Sequence, residues 1–124
     1  MKLDDFISEF EIPLEAENGK YFEVFDGVNF KLRSTTSTIC QKEFVRLKPG
    51  DNTDDPEAVE QTKAMIIEAL SNVIVVGVKG IDDFKYSKEA VKDLLIKTPF
   101  LVTKLFDLAG DFENFKKQKK VLKK

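Results

Sequence analysis

The chain contains no histidine and no tryptophan, and Cys40 is its single cysteine among 124 residues. Without histidine there can be no Ser-His-Asp triad, no Cys-His dyad and no Cys/His zinc site. One cysteine cannot form an intramolecular disulfide, which suits a reducing cytoplasm. These absences exclude several large classes of hydrolase and zinc protein.

Long apolar runs are also lacking. The N-terminal segment Met1–Phe6 already carries two aspartates, so it does not resemble a signal peptide. The most apolar segment, residues 66–78, is interrupted by Glu68, Ser71 and Asn72. It is too short and too polar to span a bilayer. We therefore expect a soluble, cytoplasmic protein with no membrane partner.

The net charge is only −2, but the charges are unevenly distributed. Residues 1–30 hold 8 acidic and 2 basic side chains, whereas residues 116–124 hold 6 lysines and no acid. The lysines have three explanations: a solubilising helix end, contact with an acidic segment of a partner, or binding to nucleic acid. No aromatic side chain alternates with them to stack on bases, which disfavours nucleic acid.

Phenylalanine, by contrast, is abundant, with 11 Phe against 2 Tyr. A chain of this length forms one domain with its own core, and each fully buried Phe stabilises it by about 1.5–3 kcal/mol. Because 11 Phe exceed what one small core needs, some of them are candidates for contact with a partner.

The first third of the chain carries strand signals. Three segments show them: Glu11–Glu15, Tyr21–Phe25 and Val28–Arg33. The last alternates apolar and polar residues, which places Val28, Phe30 and Leu32 on one face. Turn pairs stand at 18–19 (Asn-Gly) and 26–27 (Asp-Gly). The pattern predicts an antiparallel meander with one buried face.

Four segments after residue 34 have helical periodicity. They are a helix of about ten residues after the N-cap candidates Ser34–Thr38, a helix from Pro56 to about Val75, a short helix after Ser87, and a helix from Pro99 to Phe115. Between the second and third, Gly77 and Gly80 bracket a predicted loop. The sequence thus predicts an α+β fold: a small N-terminal antiparallel β meander followed by about four helices. Residues 1–115 would form the single domain, and residues 116–124 a frayed, lysine-rich tail.

An acidic stretch before the second helix has part of the pattern of a calcium-binding loop. Asp51, Thr53 and Asp55 have the alternate spacing of an EF-hand loop. However, Pro56 stands where that loop needs glycine, and Thr62 stands where it needs a bidentate glutamate. Helix capping explains the stretch better, and we expect no metal.

Three further groupings have structural explanations. Gly77-Val78-Lys79-Gly80 lacks the Gly-Lys-Ser/Thr ending of a phosphate-binding loop. The carboxylate pairs Asp82-Asp83 and Asp107–Asp111 have no companion base or nucleophile nearby in the sequence. Cys40 lies on the apolar stripe of its helix, which is typical of a buried thiol. We therefore expect neither an enzyme nor a cofactor.

Three groups of residues, taken in order, resemble phage tail assembly chaperones of the long-tailed siphophage type. They are Phe25–Thr35 with the helix ending at Phe44–Leu47, then Asn72–Ile81, then Phe84–Leu95 with Thr98–Phe100 and Asp111–Phe115. The first is similar to that family's "dG-x-x-F-K-[LVI]-R" strand, and the last to its "pYs-x-E-n-x-x-x-L-L…P…F" half. The resemblance spans roughly residues 20–115. The chain departs from it at Val78, where many relatives have tryptophan.

The resemblance implies an assembly factor of the infected host cytoplasm that is absent from the mature virion. Such proteins bind the tape-measure protein, a long apolar helical molecule, and keep it soluble until tail-tube protein subunits polymerise around it. The residues themselves leave self-association into a homo-oligomer open.

A helical client of this kind would be held by apolar anchors at helical spacing. The candidate partner-binding residues are aromatic and lysine side chains near the C-terminus: Phe100, Phe106, Phe112, Phe115, Lys116, Lys117, Lys119 and Lys120. If the inward stripe of the last helix is formed by leucines and Ala109, Phe106 lies off that stripe. We hypothesise that Phe106 and Phe115 contact the client, while the lysines steer acidic segments toward it.

Two alternatives belong to other classes. One is a structural virion component, such as a head–tail connector or minor tail protein, which purified particles would contain. The other is a small nucleic-acid-binding regulator, for which the lysine-rich tail is the only support. Net acidity argues against the second.

Overall fold

The computed structural model describes residues 1–47 and 56–116, which form an α+β domain, as predicted. Its helices are α1 Leu3–Phe10, α2 Leu14–Asn18, α3 Thr38–Arg46, α4 Pro56–Ala69, α5 Lys88–Lys97 and α6 Pro99–Gly110. Its strands are β1 Lys20–Phe25, β2 Val28–Leu32 and β3 Val75–Lys79. A π-helical turn, Leu70–Ile74, joins α4 to β3, and a 3-10 turn, Phe112–Phe115, follows α6. Residues 48–55, which follow the first predicted helix and include the acidic stretch, lie outside the described residues.

The sheet is antiparallel with the order β1-β2-β3. The predicted hairpin is present: β1 pairs with β2, and Gly27 turns the chain between them with φ 76°. Phe30 and Leu32 are buried, and Val28 packs against the same core, so the predicted apolar face of β2 is confirmed.

The first predicted strand is wrong. Leu14 begins α2, and the Asn18-Gly19 pair ends that helix instead of turning a hairpin. Gly19 has φ 105°, and its amide donates to the Glu15 carbonyl at 2.7 Å. An Asn-Gly pair can end a helix as well as turn a hairpin, and proline is common where a helix starts. The local sequence is therefore compatible with either a strand or a helix.

The third strand lies where the sequence predicted a helix end and a loop. In β3, Val75 faces Leu32 and Gly77 faces Lys31, so Val76 is the additional residue of a β-bulge. Side chains alternate along a regular strand, and residues three apart would point to opposite faces. The bulge lets both Val75 and Val78 pack against the core.

The core lies between the sheet and the helices that follow it. Its buried residues come from both the strands and the helices: Phe30, Leu32, Cys40, Ala69, Leu70, Val73, Ile74, Val75, Val91, Leu95, Leu105 and Ala109. Burial raises the pKa of the Cys40 thiol, which keeps it protonated. The prediction that Cys40 is a buried thiol is confirmed. No helix among residues 1–47 and 56–116 is long and apolar enough to cross a membrane.

Arg33 joins the N-terminal helices to the π-helical turn. Its Nε donates to the Glu17 carbonyl and its Nη1 to the Val73 carbonyl, both at 2.9 Å. Its backbone amide donates to the Ile74 carbonyl at 2.8 Å. The last carbonyls of a helix lack partners within the helix, so Arg33 both satisfies them and complements their partial negative charge.

A polar network connects α3, α4 and α5. Arg46 pairs with Glu43 at 2.7 Å, and Asn72 donates to Glu43 at 2.8 Å. Lys92 pairs with Glu68, which also accepts a hydrogen bond from Asn72. The hydrogen bond from Arg46 lowers the pKa of Glu43, and that from Lys92 lowers the pKa of Glu68.

This network predicts acid sensitivity. Both carboxyl groups have pKa values lowered from the ordinary 4.5, so the unfolded chain binds more protons than the folded one below that pH. Their contribution is complete above pH 4.5 and is lost as the pH falls through the lower folded values. Solvent screening limits it to about 1 kcal/mol. Urea unfolding between pH 3 and 6 should show a shallower pH slope for Glu43→Gln than for the wild type, and equal slopes would contradict the assignment.

Candidate apolar binding groove

An apolar groove opens where the tip of the β1–β2 hairpin meets the junction of α5 and α6. Its volume is about 380 Å³. We call it the Phe25–Phe100 groove, and it is lined by Val24, Phe25, Val28, Phe30, Ile81, Leu94, Phe100, Leu101 and Lys104.

Local sequence explains why the groove is open. Thr98 ends α5 and Pro99 begins α6 at once, as the Thr-Pro pair predicts, and Thr98 Oγ1 donates to the Leu94 carbonyl at 2.8 Å. Phe100 therefore stands in the first turn of α6 and is 92% exposed. Phe25, at the end of β1, is 75% exposed, because the alternation of that strand directs Phe22 and Val24 inward instead.

The chemistry of the groove is that of an apolar binding surface. Among the described residues that line it, Lys104 is the charged one. No group of three or more His, Cys, Asp or Glu within the described part of the chain is arranged to hold a metal ion. Two exposed Phe rings beside aliphatic side chains suit a ligand that is itself apolar on one face.

A second apolar surface lies on α1, a segment that is not among the predicted helices and strands. Leu3, Phe6, Ile7 and Phe10 follow the i, i+3, i+4, i+7 spacing of one helix face, and each is between 45% and 72% exposed. The Phe6 and Phe10 rings contact each other, with centroids 5.2 Å apart. We call these four residues the α1 stripe. Their spacing is a signal that could have revealed the helix.

The predicted aromatic site residues do not share a surface. Phe100 lines the groove, whereas Phe106 is partly buried with its ring edge-on to Phe44, 6.4 Å between centroids. Phe112 is half-buried, and Phe115 is completely buried. The expectation that Phe106 lies off the core is thus corrected.

The position of Phe115 has a local cause. The sequence prediction extended one helix to Phe115, but α6 ends at Gly110 and Asp111 restarts the chain as a 3-10 turn. The Asp111 side chain accepts from the Glu113 amide at 3.0 Å, which sets this turn. Phe115 consequently turns into the core against Phe22, with ring centroids 5.4 Å apart.

Of the predicted lysines, Lys116 is described, and Lys117, Lys119 and Lys120 lie outside the described residues. Lys116 Nζ lies 3.0 Å from Glu9 of α1 and 3.7 Å from Glu113. The hydrogen bond to Glu9 raises the pKa of Lys116. The start of the lysine-rich segment is therefore held against the acidic N-terminal region.

The geometry defines a small α+β protein with two exposed apolar surfaces. A family model described as YdaY prophage protein matches residues 35–124, and the chain belongs to that family. It is therefore a phage-derived protein. Neither a curated protein nor a solved structure matches the chain. The matched region begins at Thr35, so it includes α5 and α6 and leaves out α1 and the β1–β2 hairpin.

Proposed function

We propose that this prophage protein is a tail assembly chaperone that holds apolar helical segments of the tape-measure protein in the Phe25–Phe100 groove. The observation that carries the proposal is the exposure of Phe25 and Phe100 beside a groove lined almost entirely by apolar side chains. Membership of a phage-derived family and the resemblance along residues 20–115 support it.

The groove is suited to reversible binding of a client helix. Burying the exposed Phe25 and Phe100 rings against a client contributes about 3–5 kcal/mol of transfer free energy. Loss of translational freedom and of side-chain freedom offsets part of this gain. A client helix held by these anchors alone exchanges readily, which suits a chaperone whose client must pass to tail-tube protein subunits.

The proposed activity makes and breaks no covalent bond. We place it in the host cytoplasm during assembly, with the protein absent from the mature virion. The lysines that begin at Lys116 would attract acidic segments of the client, a role that changes association rates more than affinity. Recovery of the chain in stoichiometric amounts from purified particles would instead favour the structural virion component.

The test is co-expression with the tape-measure protein encoded by the same prophage. Phe100→Ser removes one exposed anchor, and we expect affinity for the client to fall about tenfold or more. The soluble fraction of the client, measured after centrifugation, should fall with it. Val45→Ser is the matched control, because Val45 is 77% exposed on α3 and does not line the groove. A client that stays soluble with both Phe25→Ser and Phe100→Ser in place would refute the proposed function.

A further inference from the structure

We infer that the lysine-rich segment 117–124 binds in an acidic cavity of its own chain, which lies between α1, α2 and the 3-10 turn. The cavity has a volume of about 860 Å³, and we call it the α1–α2 cavity. Its lining includes four carboxylates and two exposed apolar side chains: Glu9, Glu11, Glu15, Glu17, Ile12 and Leu14. The inference concerns a different surface from the Phe25–Phe100 groove and does not depend on the proposed function.

The first argument is the charge of the cavity. Lys116 is the one cation among its described lining residues, and it pairs with Glu9 at 3.0 Å. Glu11 and Glu15 are exposed, and neither pairs with any cation that the structure describes. A cleft lined by charges of one sign concentrates their field, so a further cationic group would be attracted by more than one carboxylate.

The other cations that adjoin the cavity have partners of their own. Lys20 Nζ donates to the Asn114 carbonyl, and Arg33 Nε donates to the Glu17 carbonyl, both at 2.9 Å. The Glu17 carboxylate accepts from the Thr38 hydroxyl at 2.9 Å. The two exposed carboxylates are therefore the part of the lining where another cation would bind.

The second argument is the composition of the segment that begins at this cavity. Lys116 has one ammonium already bound at the cavity wall, and residues 117–124 add five lysines and no acid. Between those lysines stand Val121 and Leu122, an apolar pair that matches the exposed Ile12 and Leu14 of the lining. The segment is thus complementary to the cavity in charge and in apolar content.

The segment also has sufficient reach. Lys116 has extended backbone angles, φ −69° and ψ 139°. A cavity of this volume is roughly 10 Å across, whereas four extended residues span about 13–14 Å. Residues beyond Lys120 can therefore meet the far wall of the cavity.

The third argument favours the chain's own segment over a separate molecule. Exposed ion pairs are individually weak, so a free basic peptide would bind here with low affinity. A segment that starts on the cavity wall is different, because a short connection gives it an effective concentration on the order of millimolar. Weak contacts then suffice to keep it bound for much of the time.

Binding in the cavity would regulate the availability of these lysines. The proposed function gives them a second partner, the acidic segments of the client. A lysine bound in the cavity cannot attract the client, so the client's acidic segments must displace the chain's own carboxylates. The two contacts therefore compete for the same side chains.

The test measures how fast trypsin cleaves the full chain after Lys120, followed by mass spectrometry. Binding in the cavity protects this bond, and cleavage then follows the fraction of molecules in which the segment is released. Glu11→Gln with Glu15→Gln removes two exposed carboxylates from the lining, and we expect cleavage to become about threefold faster or more. In 0.5 M sodium chloride, screening should remove the difference from the wild type.

Asp82→Asn with Asp83→Asn is the matched control. These carboxylates are also exposed, and they do not line the α1–α2 cavity, so the same change in net charge is made elsewhere. This variant should be cleaved at the wild-type rate. Circular dichroism checks that both double variants keep the wild-type fold.

Carbodiimide cross-linking provides an independent arm, because it joins a carboxylate to an amine that it contacts. We expect Glu11 or Glu15 to be joined to a lysine of residues 117–124 within one molecule, with the Glu9–Lys116 pair as the internal positive control. Equal cleavage of the wild type and the Glu11/Glu15 variant, equally faster cleavage of the Asp82/Asp83 control, or cross-links that join two molecules would overturn the inference. None of these results bears on the groove residues, so the proposed function would be unaffected.

Discussion

Alanine in place of Gly80 is expected to lower the free energy of unfolding by about 3–5 kcal/mol, enough to unfold much of a small domain. Gly80 has φ +99°, a conformation that residues with a Cβ atom rarely adopt. An added Cβ would lie 2.0 Å from the Gly27 carbonyl oxygen and 2.9 Å from the Val28 Cα atom. Because both are backbone atoms of the hairpin, β3 or the hairpin would have to shift.

Gly27→Ala is the matched control for this prediction. Gly27 also has a positive φ, +76°, but no atom lies within 4 Å of the position that its Cβ would take. Only the backbone cost of about 1–2 kcal/mol remains. Urea unfolding followed by circular dichroism measures the stability of both variants. Equal losses of unfolding free energy would show that the close approach of Gly80 to the hairpin adds nothing to the cost of alanine there.

Phe115→Ala is expected to destabilise the protein by about 3–5 kcal/mol, while Phe100→Ala should change its stability by no more than about 0.5 kcal/mol. Phe115 is 0% exposed and packs edge-on against Phe22, so its removal leaves a cavity in the core. Phe100 loses little on truncation because its ring is mostly in solvent. Thermal and urea unfolding of the two variants measure this contrast directly.

The contrast matters for any test of client binding. Phe106 and Phe115, which the sequence favours as contact residues, both pack against other Phe rings of the domain. Serine at these positions would reduce the solubility of the proposed client by unfolding the domain, whatever surface binds that client. A Phe115→Ala protein as stable as the wild type would remove this objection.

Elements with short-range signals could be predicted from the sequence. Ser37 and Ser87 accept hydrogen bonds from the amides of Cys40 and Ala90, at 3.4 and 3.0 Å, at the helix starts where the sequence predicts caps. The alternation in β2 likewise predicts which of its faces is buried. Each of these depends on residues within about four positions of one another, so sequence spacing alone determines it.

Elements decided by distant contacts could not be predicted. The valine-rich stretch before Gly77 suits either a helix end or a strand, and pairing with β2 decides the outcome for Val75–Lys79. The segment Leu14–Asn18 is similarly ambiguous, and it becomes helical where Ala16 packs into the core and its carbonyl accepts from the Ser34 amide at 3.0 Å.

The candidate site likewise has a part that local sequence predicts and a part that distant contacts decide. Phe100 could be proposed from residue type and from its place after a Thr-Pro helix start. The groove itself combines the hairpin tip with α5 and α6, some 70 residues further along the chain, and no periodicity brings those segments together. The sequence predicts Phe25 only as a strand residue, because the tertiary fold brings it to the same groove as Phe100.

The π-helical turn at Leu70–Ile74 passes into β3 with no intervening loop, and this constrains how the protein can evolve. Deleting or inserting one residue there would rotate every later side chain of the strand to the opposite face of the sheet. Substitutions among similar apolar residues keep the count and are tolerated far better. Insertions and deletions among relatives should therefore be rare at this π-helical turn, even where its residues are substituted.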